Sequence, residues 1–390
     1  MNNNKQIKRP AIIVVAILVL ILAIFGLYRA NQSVKATSQE PIKIGGISAL
    51  TGVGVAIGDE ERKGALLATE EVNASGGVLG HPLKLISEDV SIDKIKTVVS
   101  VARKLIDVDK VVTIVGPQWD EPAYPMLPII EESKIPTVGA DSSPMLEAEH
   151  NNPYFFATWY DNRVGIRELL RYAQASGLKK IAIIKPISAG FWEYTATIML
   201  NESKNYGVEI VGVYDMGNPL ELDFKTAIMK VKAMNPDAVF SVTSDYNQCT
   251  FMKQTKQLGL NVPSLGTESS GDPTSLSQCA DLMVNRYFST PAQTESNKAF
   301  AERFKARFGA YPKFPSAATS YDAVMIIAAG LKKSNLVGGE TLRDAIANTR
   351  DLRGVSLDDL TLDSIGFVST PENAYEIQTV RNGGFVKVSY

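Results

Sequence analysis

Residues 41–90 read PIKIGGISALTGVGVAIGDEERKGALLATEEVNASGGVLGHPLKLISEDV, and the order of elements in this stretch predicts the fold. Residues 42–47, with isoleucines at 42, 44 and 47, predict a strand, residues 58–73 predict an amphipathic helix, and residues 83–89 predict the next strand. A strand, a helix and a second strand joined by short turns are typical of a parallel α/β sheet.

The same alternation continues along the chain and restarts once. After a break at residues 158–161 a second strand–helix series begins, so we predict an α/β protein with two Rossmann-like lobes, each built on a parallel sheet. A length of 390 residues suits about two domains. Near the C-terminus, the Asn382-Gly383 turn between two alternating runs predicts a β-hairpin.

Residues 1–36 differ in composition from the rest of the chain. Residues 11–28 form an uncharged apolar run of 18 residues with three basic residues before it. As a hydrophobic helix this run spans about 27 Å, close to the hydrocarbon thickness of a bilayer. The basic flank predicts export of the chain that follows. The run is longer than the apolar core of most cleavable signals. We therefore expect a membrane anchor, with a cleaved signal peptide as the alternative.

The formal charge of −2 is the sum of two unlike regions. Five of the 40 basic residues and none of the 42 acidic residues fall within residues 1–36, which leaves 35 basic against 42 acidic residues in the remainder. An acidic body without a basic stripe argues against a nucleic-acid partner. It also argues against contact with an anionic membrane beyond the N-terminal segment.

Motifs of common enzymes and cofactor sites are missing from the sequence. Gly52, Gly54 and Gly58 follow a strand, but four residues intervene and the spacing departs from that of a dinucleotide site. The chain has two histidines, no nucleophile elbow and no cluster of metal ligands. We therefore predict that the protein is not an enzyme and holds no cofactor or metal. The spacing of the two cysteines, Cys249 and Cys279, leaves their pairing open.

Ligands of open α/β sheets bind at the carboxyl ends of the strands, so the loops that follow the predicted strands form the candidate site. These loops share aromatic rings, hydroxyls and carboxylates, and they include Trp119-Asp120, Ala140-Asp141-Ser142, Phe191-Trp192, Ser244-Asp245 and Glu268. Aromatic walls with a few polar groups suit a small polar solute.

Several motifs are similar to those of one protein family. They are Ile42-Lys43-Ile44-Gly45, the stretch at residues 64–80, Ser320-Tyr321-Asp322-Ala323 and the closing Val380-Arg381-Asn382-Gly383-Gly384-Phe385. With these motifs, residues 41–390 resemble the exported solute-binding proteins of branched-chain amino acid ABC transporters, which have the type I periplasmic-binding fold. The stretch at residues 64–80 is the most specific match.

The resemblance implies a particular domain arrangement and function. The two lobes would be joined by three hinge crossings, near residues 158–161, 289–291 and 362–370. Lobe 1 would comprise residues 41–159 and 291–362, and lobe 2 residues 160–290 and 363–390. Members of the family close on a small ligand between the lobes and deliver it to an ABC permease. The alternative is a ligand-sensing ectodomain that signals to a membrane partner.

The resemblance also implies roles for the loop residues. Those that fall where the family binds the α-carboxylate of an amino acid are Trp119, Asp120, Ala140, Asp141 and Ser142. Glu268 falls where an acid pairs with the ligand ammonium. The residues that fall along the cleft in lobe 2 are Phe191, Trp192, Ser244 and Asp245.

Asp120 departs from the family pattern, because a serine is usual at its position. A carboxylate beside a ligand carboxylate is unfavourable in a desolvated cleft. Together with Asp141, Asp245 and Glu268, it predicts a small polar ligand that bears an amine, such as an amino acid or a derivative. The alternative is that these acids cap helix N-termini and face solvent.

Overall fold

The computed structural model describes residues 39–143, 151–187, 190–218, 221–244 and 247–390, except the side chain of Ile92. The predicted anchor or signal segment at residues 1–36 and the predicted site residue Asp245 lie outside the described residues. Among the helices of the described part, none combines the length and the hydropathy that a membrane span requires.

The first lobe is built on a parallel sheet. Its described strands are β1 (Ile42–Ser48), β2 (Leu83–Asp89), β3 (Ile114–Val115), β4 (Thr137–Gly139) and β5 (Phe155–Ala157). They lie in the order β2-β1-β3-β4-β5, and each neighbouring pair is parallel. The carboxyl ends of all these strands therefore open on one edge of the sheet.

The second lobe is built on a larger sheet. Its described strands are β6 (Lys180–Pro186), β7 (Glu209–Met216), β8 (Ala238–Ser241), β9 (Ser264–Gly266), β10 (Arg286–Pro291), β11 (Tyr375–Arg381) and β12 (Gly384–Lys387). In the order β12-β11-β10-β9-β8-β6-β7, the strands from β10 to β7 are parallel. β11 and β12 form the predicted hairpin and extend the sheet in antiparallel fashion. The predicted α/β class with two lobes is confirmed.

Helices alternate with the strands. They are α1 (Val55–Ala74), α2 (Val98–Arg103), α3 (Asp120–Ala123), α4 (Leu127–Ser133), α5 (Asn162–Ala175), α6 (Phe191–Glu202), α7 (Lys225–Ala233), α8 (Gln248–Gln257), α9 (Pro273–Cys279), α10 (Glu295–Phe308), α11 (Ser316–Lys333) and α12 (Gly339–Ala347). Short 3₁₀ or π segments lie at Ile92–Thr97, Lys104–Val108, Tyr124–Met126, Ser203–Tyr206, Glu268–Gly271 and Met283–Asn285.

Strand β6, which lies between β8 and β7, is apolar on both faces. Ile181 and Ile183 pack in one hydrophobic cluster, while Ala182 and Ile184 pack in another. Because successive side chains of a strand point to opposite faces, the two clusters lie on the two sides of the sheet. Burial on both sides explains why the sequence of this strand is a continuous apolar run.

Helices α1 and α11 pack closely in the first lobe. A Cβ atom at Gly64 of α1 would lie 2.0 Å from the carbonyl oxygen of Ala317 in α11. Only glycine permits this approach of the two backbones. The contact fixes the position of α11 and of the residues just before it.

A disulfide bond joins Cys249 in α8 to Cys279 at the end of α9, with 5.8 Å between the Cα atoms. The pairing that the sequence left open is therefore present. The bond links two helices of the second lobe that are 30 residues apart in the chain.

The chain passes between the lobes three times. It leaves the first sheet after β5 and enters the second sheet at β6. It returns after β10 to form α11, which packs on α1, and passes back to the second sheet at β11. This path sets the carboxyl ends of both groups of parallel strands around one cleft.

Candidate ligand-binding cavity

A cavity of about 540 Å³ lies between the two lobes. Its apolar lining residues are Val53, Ile57, Ile95, Trp119, Trp159, Phe191, Trp192, Phe314 and Pro315. Its acidic lining residues are Asp120, Glu121, Asp141 and Glu268, and its other polar ones are Ser143, Asn162, Asn218, Ser244, Ser269 and Ser316. Most of them follow the carboxyl end of a strand, the position at which open α/β sheets bind ligands.

The structure brings most of the sequence-predicted residues together in this cavity. Those that line it are Trp119, Asp120, Asp141, Phe191, Trp192, Ser244 and Glu268. Ala140 and Ser142 are almost completely buried and do not line it. Asp245 lies outside the described residues.

The position of Ala140 and Ser142 follows from the alternation of an extended chain. Asp141 forms a parallel bridge with Gln118, so the segment after β4 continues the strand direction. Successive side chains in such a segment point to opposite sides. Asp141 faces the cavity, and its two neighbours therefore face the protein interior.

Several lining residues were not identified from the sequence. Glu121 and Ser143 are each adjacent to a predicted residue. The two consecutive acids at residues 120–121 could have identified Glu121 from the sequence. Trp159 lies in the first crossing between the lobes, and Phe314 precedes α11. Trp159 follows β5, a short strand that was not predicted from the sequence, and Phe314 lies between two helices, so a search of the predicted strand ends does not find them.

Trp119 takes an unusual backbone conformation, with φ at 68°. A non-glycine residue in this region carries about 1–3 kcal/mol of strain, which is common at functional sites. A Cβ atom at Gly54 would lie 2.6 Å from the Trp119 ring, so the glycine leaves room for the indole. The indole also forms a hydrogen bond with the Asp141 side chain. Trp119 is thus fixed in position at the cavity wall.

Asp120 is a buried acid at the start of α3. Its Oδ1 accepts a hydrogen bond of 2.7 Å from the backbone N–H of Ser143, and its Oδ2 accepts one of 2.6 Å from the Ser143 hydroxyl. Burial raises the pKa of Asp120 to about 8, although both hydrogen bonds act in the opposite direction. The carboxyl group therefore joins the loops that follow β3 and β4.

Asp141 and Glu268 interact electrostatically across the cleft, one from each lobe. Burial and, after it, the charge of Glu268 raise the pKa of Asp141 to about 8. Burial also raises the pKa of Glu268 to about 7. The Asn162 side-chain N–H donates a hydrogen bond of 3.3 Å to Glu268. A cation between the two carboxyl groups would relieve their repulsion.

The lobes touch at the end of the cavity formed by α3 and α6. The Trp192 side chain of the second lobe donates a hydrogen bond to Glu121 of the first lobe. Burial raises the pKa of Glu121, and this hydrogen bond opposes the rise. Close by, a Cβ atom at Gly190 would lie 3.2 Å from the Cβ of Asp120.

A buried arginine supports the second lobe behind the cavity. The guanidinium of Arg286 donates hydrogen bonds to the hydroxyls of Ser241, Ser264, Ser270 and Thr243 and to the carbonyl of Ser241. Burial lowers the pKa of Arg286 to about 9, so it remains charged at neutral pH. Its hydrogen bonds hold together the loops that follow β8 and β9.

Comparisons of the chain with known proteins agree with this architecture. Residues 41–384 match the family described as periplasmic binding protein. A leucine-, isoleucine-, valine-, threonine- and alanine-binding protein of Pseudomonas aeruginosa is 27% identical over 315 residues, which are 80% of this chain and 83% of that relative. The Leu/Ile/Val-binding protein of Escherichia coli is 26% identical over 304 residues, or 76% of this chain and 80% of the relative.

The fold is also shared with solved structures. A leucine-binding protein from Thermotoga maritima superposes with a TM-score of 0.79 at 21% identity, covering 89% of this chain and 98% of the other. These matches confirm the resemblance that the sequence motifs indicated, and they show a binding protein and not an enzyme. The chain therefore belongs to the periplasmic binding protein family.

Proposed function

We propose that the protein captures a small, amine-bearing solute between its two lobes, outside the cytoplasmic membrane, and delivers it to an ABC permease. The observation that carries this proposal is the acidic lining of the cavity, with Asp120, Glu121 and Asp141 on one lobe and Glu268 on the other. Acids on opposite lobes attract one positively charged ligand and favour closure around it.

The names of the curated relatives support an amine-bearing ligand. The Pseudomonas relative is named for leucine, isoleucine, valine, threonine and alanine, all of which carry an α-ammonium group. In the present chain, Glu268 is the strongest candidate for the ammonium contact, because Asn162 orients its carboxylate at the cavity wall. Further candidates for ligand contact are Trp119, Asp120, Asp141, Phe191, Trp192 and Ser244, and Asp245 stays a prediction.

Closure is proposed to occur by rotation of the lobes about the three crossings. We place the lobes at residues 41–159 with 291–362, and at residues 160–290 with 363–390. The third crossing runs close to the first, because Phe367 forms a bridge with Ala157 at the end of β5. Adjacent crossings allow a hinge with little change elsewhere in the chain.

Residues 1–36 are proposed to export the protein and to tether it to the membrane. The support is the apolar run at residues 11–28 with its basic flank. Mass spectrometry of the protein from the membrane fraction tests the tether. An intact N-terminus is expected, whereas a mature chain that begins near residue 37 would show that the segment is a cleaved signal.

A thermal-shift screen tests the capture function. The purified protein is screened against amines, amino acids, amides, neutral alcohols and short peptides, and hits are measured by calorimetry. Stabilisation by amine-bearing compounds at micromolar affinity, or about −8 kcal/mol, is expected. Stabilisation by neutral or anionic compounds alone would contradict the proposal. Delivery to a permease is tested in cells. Deletion of the gene is expected to abolish uptake of the amine that the screen identifies.

A further inference from the structure

Backbone donors of the first lobe near the cavity are bound by the protein's own carboxylates. The N–H and hydroxyl of Ser143 both donate to Asp120. The N–H groups of Lys313 and Phe314, just before α11, donate to Glu60 at 2.7 and 3.0 Å. N–H groups at helix starts and strand ends are common holders of a carboxylate or phosphate. Here internal carboxylates occupy them.

The backbone N–H groups of the loop after β1 also donate to side chains of the protein. The N–H of Ala49 donates to the side-chain oxygen of Gln118 at 3.1 Å. The N–H groups of Leu50 and Thr51 donate to Asp89 at 2.7 and 3.1 Å. A ligand carboxylate that took any of these donors would leave an acceptor of the protein without its partner. That exchange is unfavourable wherever the displaced group stays buried, because it still lacks its hydration.

The ionisable groups that face the cavity are all acids. Asp120, Glu121 and Asp141 line it from the first lobe and Glu268 lines it from the second. No lysine or arginine is among the lining residues in the part of the chain that the structure describes. Arg286 lies behind the wall, where its N–H groups are engaged by hydroxyls and a carbonyl. Once these acids are ionised, an anionic group meets repulsion from both lobes and a cation meets attraction, and a bound cation itself favours their ionisation.

Aromatic rings line the cavity together with these acids. They are Trp119, Trp159, Phe191, Trp192 and Phe314. The face of an aromatic ring attracts a cation, and the attraction grows when water is excluded. A volume of about 540 Å³ also leaves room for an apolar body beside the charged group.

We infer that the ligand is an organic ammonium compound with an apolar body and no free carboxylate group. Its ammonium lies between the acids of the two lobes, and its apolar body lies against the rings. The inference rests on the proposed function, since it takes the cavity as the capture site for an amine-bearing solute, and it specifies the chemical class of that solute.

Calorimetry on two sets of matched compounds tests the inference. The first set is 2-phenylethylamine, phenylalanine and 2-phenylethanol, and the second is 3-methylbutylamine, leucine and 3-methylbutanol. Within each set the amino acid adds a carboxylate to the amine, and the alcohol replaces the ammonium by a neutral hydroxyl. The amine of at least one set is expected to bind at least tenfold more tightly than both partners.

The other outcomes separate the two proposals. If phenylalanine or leucine binds as tightly as the corresponding amine, the inference is overturned and the proposed capture of an amine-bearing solute stands. If an alcohol binds as tightly as its amine, or if neither the amines nor the amino acids bind, the inference and the proposed ligand class are both overturned.

Discussion

The Trp192 side chain of the second lobe donates a hydrogen bond to the Glu121 carboxylate of the first lobe. This contact joins the lobes beside the cavity, next to the close approach of Gly190 to Asp120. A hydrogen bond to a charged group contributes about 1.5–3 kcal/mol. The contact therefore favours the arrangement in which the lobes lie against each other.

Replacing Trp192 by Phe tests this contact. The ring is retained but the donor is lost, so ligand affinity is expected to fall about tenfold, which corresponds to about 1.4 kcal/mol. The faster dissociation should be visible by stopped flow with an amine that the wild type binds. Glu121→Gln is the matched comparison, because it keeps an acceptor for the indole and removes the charge. An unchanged dissociation rate in Trp192→Phe would show that the hydrogen bond does not hold the lobes.

Glu268→Gln removes one of the two facing acids and preserves the shape of the side chain. We expect at least tenfold weaker binding of an amine-bearing ligand, or about 1.4 kcal/mol, because the ammonium loses its charged partner. Glu340→Gln is the control, since Glu340 is exposed and paired with Lys134 on the surface. If calorimetry gives the same affinity for the Glu268→Gln variant and the wild type, Glu268 does not contact the ligand ammonium.

Asp120→Ser frees the N–H and hydroxyl of Ser143 from their internal acceptor. We expect the variant to bind leucine more tightly than the wild type does, by tenfold or more, because the freed donors can hold a carboxylate. Binding of 3-methylbutylamine is expected to stay equal or to weaken. A variant that folds normally by circular dichroism and still ignores every amino acid would contradict the role assigned to Asp120.

The cavity acids predict a pH dependence of stability. Burial raises the pKa of Asp120 and Asp141 to about 8 and that of Glu268 to about 7, whereas unfolded carboxyls titrate near pH 4. Between these limits the folded chain holds more protons than the unfolded chain, so the free energy of unfolding falls as pH rises from about 5 to about 8. The Tm of the ligand-free protein should decrease over that range.

Ligand affinity should follow the opposite trend, because a cation binds the ionised acids. Affinity for a permanently charged ammonium compound is expected to rise from pH 5 to pH 8, with release of protons into the buffer. The Asp141→Asn and Glu268→Gln double variant should show a flatter profile in both measurements. The same Tm profile in the wild type and in this variant would show that Asp141 and Glu268 titrate as they do in solvent.

The disulfide between Cys249 and Cys279 predicts a measurable loss of stability on removal. The bond closes a loop of 30 residues and so lowers the conformational entropy of the unfolded chain. This effect is expected to raise the free energy of unfolding by about 3–4 kcal/mol. The Cys249→Ala, Cys279→Ala double variant should have a lower urea midpoint, and reductant should bring the wild type close to it. Identical midpoints with and without reductant would argue against the bond. Ligand affinity should be little changed, because neither cysteine lines the cavity.

Much of the candidate site could be predicted because loops at strand ends are recognisable in the chain. Trp119, Asp141 and Glu268 all follow predicted strands, and parallel strands bring such positions together. The orientation of Ala140 and Ser142 could not be predicted, because it depends on the bridge between Asp141 and Gln118. That bridge sets which neighbours face the interior.

By itself the sequence determined the two α/β lobes, the closing hairpin and the strand-end loops, since hydrophobic period and turn residues act locally. The tertiary structure alone decided which groups meet. Glu60 caps backbone N–H groups that lie 253 and 254 residues further along the chain, and Asn162 reaches Glu268. These pairs depend on how the chain crosses between the lobes and how closely the elements pack, and no local pattern encodes such distances. The acidic residues indicate the charge of the ligand only because the fold places acids from both lobes around one cavity.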